Sequence, residues 1–403
     1  MRLPGVEEAR ARMLARVRPL APETVPLDAA LGRVLRGEVV AVRDQPPFAA
    51  SAMDGWAVRA ADADSTTLRI VGESAAGRGW TGTLGAGEAI RISTGAPVPD
   101  GADRVVMQEQ ATRIGDRVTL DAALGAERFV RPRGADFADG DVLLTPGVRL
   151  DPWRIALAAS AGRSDLVVGA RPRVAIAPTG DELAAPGTAP GPWQIHDAAG
   201  AGLAAWFTMR GCAVERLQPL PDDLDAVTAA LGSVACDLLV TIGGASVGDH
   251  DMVKPALAAL GMDLVVDGVA VRPGKPTWFG VLPGGGLVLG LPGNPVSAMV
   301  CAELFGGPVV VALEGAVPTP SRMRARLGSA LPANGPREHY ARACIGRDAE
   351  RGFVADAAPD QDSSLVSVLA AAGGLILRLP HAPAAAAGEI VEILLLDRAG
   401  LKR

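Results

Sequence analysis

The chain has 403 residues, 49% hydrophobic, 21% charged and only 3% aromatic, so it predicts two to four compact units with aliphatic, alanine-rich cores. Its net charge of −6, from 39 Lys+Arg against 45 Asp+Glu, comes without a basic stripe. That argues against a nucleic-acid partner, because phosphate neutralisation needs clustered cations. No stretch reaches the ~18 uninterrupted apolar residues of a membrane span, and the opening MRLPGVEEARARML lacks an apolar signal core, so the expectation is a cytoplasmic chain with no membrane partner.

In chain order, GVEEARARMLARV (5–17) places Val6, Ala9, Met13 and Val17 on one helical face. From Phe48 to Gly140 short apolar runs broken by glycine, such as LRIVG, EAIRISTG and DRVVMQEQ, predict a small β-rich unit. DPWRIALAASAG then reads as a helix with Asp151 as N-cap, Pro152 at its first position and Gly162 at its end. After Gly169 strand and helix alternate. Strands are predicted at 173–177, around AVERLQPL, at 237–242 and at 287–291; helices at 198–210, 222–231, MVKPALAAL and 295–304. Such alternation implies a parallel sheet covered on both faces. Beyond PTPSRMRARL the β texture returns, ending in EIVEILLLD. The expected domains are therefore 1–45 with 141–170 (mixed, N-terminal), 46–140 (β-rich), 171–318 (α/β) and 319–403 (β-rich).

The loops after the α/β strands carry the chemistry. They read PTGDE (178–182), PDD (221–223), GGASVGDHD (243–251) and PGNP (292–295), with VRPGKP (271–276) before the last. In open parallel sheets ligands bind outside the carboxyl ends of the strands, so these loops should share one rim. Thr179, Gly180 and Asp181 belong to its first loop. Gly243, Gly244 and Gly248 would let backbone N–H groups approach an oxyanion, and Ser246 adds a hydroxyl. Arg272 and Lys275 supply cationic donors across Gly274. Gly293, Asn294 and Ser297, at a helix start, suit a further oxyanion contact. Asp181, Glu182 and Asp251 sit poorly beside phosphate unless a divalent cation lies between, which points to Mg²⁺.

Plainer readings exist for each. Gly-rich loops are often only turns, single surface cations are usually solvated, and Asp181-Glu182 can merely favour a following helix. GASVG (244–248) matches the G-x-S-x-G nucleophile elbow, but no HGGG-like segment accompanies it, so a serine hydrolase is set aside. His250 and His196 read as exposed loop histidines rather than metal ligands. Cys212, Cys236, Cys301 and Cys344 form no C-x-x-C pair and read as buried reduced thiols.

Taken in order, SAMDG, RGAD, TGDEL, GGASVGDHD, RPGKP and LPGNPVSA resemble the molybdopterin molybdenumtransferase family, MoeA and its eukaryotic relatives including the E domain of gephyrin. The resemblance spans nearly the whole chain. It implies a multidomain α/β plus β fold: a three-layer molybdopterin-binding α/β domain, two β-rich domains and a mixed N-terminal domain, in an elongated homodimer. The implied reaction is insertion of molybdate into adenylylated molybdopterin with release of AMP, assisted by Mg²⁺. Residue by residue, the resemblance puts the Mg²⁺-linked aspartate on Asp251, the TGDEL acid on Glu182, the RGxD acid on Asp136 and the acid opening the DD loop on Asp222. It puts the basic pair on Arg272 and Lys275, and a cleft wall on Asp54 of SAMDG. A molybdopterin adenylyltransferase or molybdoenzyme chaperones are further partners to be expected.

The chain departs from the family pattern twice. Where the family usually reads PPFDNSAMDG, this chain has Ala49 and Ala50; where it reads D-[ST]-N after the TGDEL strand, this chain has Asp197, Ala198 and Ala199. These changes motivate a second reading, a binding or scaffold paralogue without turnover. A third, an adenylyltransferase or nucleotide-derivative hydrolase built on the same α/β domain, would not account for SAMDG and RGAD.

Overall fold

The computed structural model describes residues 2–63, 67–121, 124–221, 223–244, 252–319, 321–349 and 352–396. They fall into two compact units, one made of Met1–Glu23, Gly32–Arg36 and Val168–Arg403, the other of Thr24–Leu31 and Gly37–Val167.

The second unit is built on a six-stranded sheet in the spatial order Arg104–Met107, Gly55–Val58, Glu88–Ile92, Thr67–Ser74, Arg117–Leu120, Ala111–Ile114. Successive side chains alternate between faces, so Trp56, Val58, Ala89 and Val106 enter one core cluster while Ala57, Ile90, Ile92 and Val105 enter another. Helix Pro152–Ser160 follows the predicted start: Asp151 accepts from the Arg154 N–H at 2.8 Å with Pro152 in the first turn.

The first unit carries the α/β domain. Its six strands are β1 (Arg173–Pro178), β2 (Ala213–Arg216), β3 (Leu238–Ile242), β4 (Asp263–Asp267), β5 (Trp278–Val281) and β6 (Leu287–Leu291), in the order β2-β1-β3-β6-β5-β4. The first four in that order are parallel, as expected. The other edge differs: β5 runs antiparallel to both β6 and β4, so the sheet is mixed. DLVVD and WFGV are short, and no helix separates them, so the strand-helix alternation that flagged the other strands breaks there.

Both faces are covered. Val174, Ile176, Leu238, Val240, Leu287 and Leu289 pack against helix Ala198–Met209 and the helical run beginning at Pro295. Ala175, Ala177, Leu239 and Val288 face helices Leu224–Ser233 and Val253–Ala259. The N-terminal helix Val6–Leu14 adds Val6, Ala9 and Met13, all fully buried, to the first of these cores. The run Pro295–Leu313 is long and apolar enough to cross a membrane, but 72% of its apolar window is buried in this domain, so it reads as a core helix.

The C-terminal sheet pairs Glu338–Asp348, Gly352–Ala357, Arg322–Leu327, Ile390–Leu395 and Gly374–Arg378 in sequence, and the last pairs back with the first, closing a small barrel. Ala325, Ala341, Ala343, Ala355 and Ala385 line its core, small side chains suited to a narrow interior. Parity along Glu338–Asp348 also corrects one expectation. Ala343 points inward, so Cys344 points out and is exposed, whereas Cys212 and Cys301 are buried and Cys236 is half-buried.

Candidate functional site

Hydrogen bonds draw several of the strand ends together. Thr179 donates to the Ile242 carbonyl from both its N–H (2.9 Å) and its hydroxyl (3.1 Å), tying β1 to β3. The Gly180 N–H donates to the Leu220 carbonyl at 3.2 Å and the Gly243 N–H to the Leu291 carbonyl at 3.1 Å, adding β2 and β6. Loop 271–276 opens at the same end, because it follows β4, which runs parallel to β6, and precedes the start of antiparallel β5. Thr179, Gly180, Gly243 and the 292–294 turn therefore share one rim. Gly243 does not play the part expected of it, since its N–H is spent on Leu291; among the described residues the Gly244 N–H makes no hydrogen bond.

Around this rim the polar groups divide into tied and untied. Asp181 and Glu182 are exposed and start no helix; the chain turns into the short strand Leu183–Ala184. The Glu182 carboxylate folds back on Gly180 (φ +131°), where a Cβ would lie 2.1 Å from Oε2, so glycine is required there. Arg272 and Lys275 are exposed and form no ion pair among the described residues. Between them Gly274 (φ +113°) has the Cys301 sulfur 2.0 Å from where a Cβ would sit. Burial pushes the Cys301 thiol up to about 12, which keeps it neutral packing under the loop. Asn294 precedes helix Pro295–Cys301 without capping it, and its Oδ1 is buried with no hydrogen-bond partner among the described residues; Ser297 is buried one turn on. An orphaned buried acceptor is costly, and it lies on the rim's floor. Asp222, Ser246, Gly248, His250 and Asp251 lie outside the described residues. Among the described residues no group of three or more His, Cys, Asp or Glu could hold a metal ion.

Asp54 and Asp136 belong to the other unit. Asp54 is exposed and its Oδ1 accepts from the Thr94 N–H at 2.7 Å, so the Asp-Gly turn is pinned rather than loose. Asp136 is exposed, and its N–H donates to the Gln45 carbonyl at 2.9 Å. Strand Ala50–Ser51 pairs antiparallel with Val130–Arg131 and Gln45 bridges Phe137, so the two acids lie toward opposite ends of one paired segment.

Two features escaped the sequence reading. Asp197 is 1% exposed, accepts from the Gly200 N–H at 2.7 Å and pairs with Arg216 at 2.7 Å. The second is basic: Val271–Arg272 pairs in parallel with Glu338–His339, and His339 is in register with Arg378 on its other side. Burial and then the guanidiniums of Arg272, Arg342, Arg337 and Arg378 push the His339 imidazole down to about 4. The signal available was the basic density of PREHYARA (336–343); what it lacked was the strand pairing that sets it beside RPGK.

Three family descriptions match the chain: the MoeA N-terminal region (domains I and II) over residues 5–162, a probable molybdopterin binding domain over 175–312, and the MoeA C-terminal region (domain IV) over 324–396. Molybdopterin molybdenumtransferase 2 of Mycobacterium tuberculosis is 35% identical over 389 residues, covering 92% of this chain and 94% of that protein. Molybdopterin molybdenumtransferase of Synechococcus elongatus is 34% identical over 314 residues, covering 75% and 78%. The crystal structure of the molybdopterin biosynthesis MoeA protein of Pyrococcus horikoshii superposes with a TM-score of 0.80 at 28% identity, covering 98% of this chain and 99% of that one.

Proposed function

This chain belongs to the molybdopterin molybdenumtransferase (MoeA) family of molybdenum cofactor biosynthesis, and from that membership we propose that it inserts molybdate into adenylylated molybdopterin and releases AMP. The observation that carries the proposal is the pair of exposed cations, Arg272 and Lys275, without an ion-pair partner among the described residues, flanking Gly274 on the same rim as the Asn294 carbonyl, itself without a hydrogen-bond partner among the described residues. Exposed guanidinium and ammonium groups with no carboxylate partner suit an oxyanion, either a phosphate of the substrate or molybdate itself.

Within this reading Arg272 and Lys275 bind and orient the oxyanion. Cys301 and the close approach at Gly274 fix the loop that presents them. Asp181 and Glu182 stand on the same rim as proton-accepting carboxylates, and Asp54 and Asp136 of the other unit are assigned as cleft acids, as is Asp222. Mg²⁺ belongs to the proposal as well. The rim's donors, Asp181, Glu182 and Asn294 Oδ1, are all oxygen, which suits a hard cation rather than a soft one, and the resemblance gives Asp251 as its ligand. When bound, the ion would offset phosphate charge. A homodimer in the cytoplasm completes the proposal.

Calorimetric titration with molybdate tests the anion rim. The wild-type chain is expected to bind, and the double change Arg272→Ala, Lys275→Ala to weaken binding by roughly 10²- to 10⁴-fold, at about 1.5–3 kcal/mol per charged hydrogen bond. Undiminished binding by the variant removes these residues from their assigned role.

A further inference from the structure

Between residues 171 and 318 the chain has six aromatic side chains, Trp193, Trp206, Phe207, Trp278, Phe279 and Phe305. Five are at most 8% exposed and serve the core; Trp193 is 90% exposed. Isolated exposed aromatics are not unusual, so exposure alone decides nothing. Its tether is more informative. The Ile195 N–H donates to the Glu182 carbonyl at 2.8 Å. The Gln194 Nε2 donates to the Asp181 carbonyl at 3.1 Å, and its Oε1 accepts from the Gly191 N–H at 3.1 Å. His196 is held in turn at 3.0 Å from the Thr188 carbonyl. The loop bearing the indole is thus sewn along the Asp181-Glu182 turn, at the edge of the anion rim.

Among the described residues that rim offers charges, hydroxyls and glycine backbone but no aromatic ring; the Arg272 guanidinium is its one planar cation. A molybdopterin nucleotide carries two flat ring faces, the aminopyrimidinone of the reduced pterin and the adenine, and a flat side chain suits either. We infer that Trp193 is the stacking platform for a planar heteroaromatic ring of the substrate, held beside the anion rim by the Gln194 and Ile195 bonds to the Asp181-Glu182 turn. This inference rests on the molybdopterin reading given above. A tryptophan presents a large apolar face at little conformational cost, and ring stacking of this kind tolerates different bases because each has a π-face.

Titration calorimetry of the full chain with AMP, 6-carboxypterin and inorganic phosphate separates the terms. Trp193→Ala is expected to weaken one of the two ring probes about tenfold, within the span of base-aromatic stacking, while phosphate affinity stays unchanged and Trp193→Phe keeps most of the binding. A loss confined to AMP assigns the platform to adenine, and one confined to carboxypterin assigns it to the pterin. Equal affinities of both ring probes for wild type and Trp193→Ala overturn the inference, as does a wild type that binds neither ring. A Trp193→Ala chain whose subunit assembly dissociates, by light scattering, with ring affinity intact also overturns it, making the indole a subunit contact. Failure of the wild type to bind phosphate counts against the anion rim instead, and the ring titrations still decide Trp193.

Discussion

At the scale of single residues, His339 makes the most distinctive claim. Its imidazole is half-buried among Arg272, Arg337, Arg342 and Arg378 and is pushed from 6.5 down to about 4. The unfolded chain therefore binds a proton that the folded chain refuses between those values. The stability this gives is fully present above pH 6.5 and is lost as pH falls towards 4. After discounting for partial exposure the loss is about 2 kcal/mol. His339→Asn should flatten the pH dependence of urea unfolding in that window; identical slopes for both proteins would remove His339 from the effect. Ala49 and Ala50 are likewise open to test. Ala50 is 3% exposed, paired with Arg131 and bridged to Pro97, whereas Ala49 is half-buried. Ala50→Asn should cost about 1–3 kcal/mol by burying an amide without prepared partners, and Ala49→Asp should cost little; equal melting shifts would contradict this. Thr179, Gly180, Gly243 and the 292–294 turn were legible as rim positions because each follows a predicted strand, whereas 271–276 reaches the rim through Asp263–Asp267, a strand the sequence reading did not identify. The Asp197–Arg216 pair was not, since the two meet only through the packing of helix Ala198–Met209 on β2.

At the scale of elements, Asp197 both caps that helix and pairs with Arg216 while 1% exposed. Asp197→Ala removes the cap and leaves a guanidinium short of its carboxylate, so a loss of about 3 kcal/mol is expected. Asp197→Asn keeps a cap acceptor and should lose less, and chemical denaturation of both variants orders them. Helix starts and strands were readable where a local signal exists: Asp151-Pro152, Pro295, and the apolar runs of β1, β3 and β6. The antiparallel edge of β5 and β4 and the closure of the C-terminal barrel were not readable, because pairing partners and strand direction are non-local facts.

At the scale of the whole molecule, the α/β unit carries the rim proposed to bind the oxyanion, and the other unit carries Asp54 and Asp136. The Asp-Gly of SAMDG, a plain turn by local sequence, is pinned by the Thr94 N–H, which fixes the Asp54 carboxylate within its own unit. The scaffold alternative shares every one of these contacts and differs only in turnover. The purified chain incubated with adenylylated molybdopterin, molybdate and Mg²⁺ therefore tests the central claim most directly. The expected result is release of AMP together with active cofactor, abolished by Asp251→Ala in a protein that remains folded. Tight retention of the nucleotide with no AMP released would contradict the account.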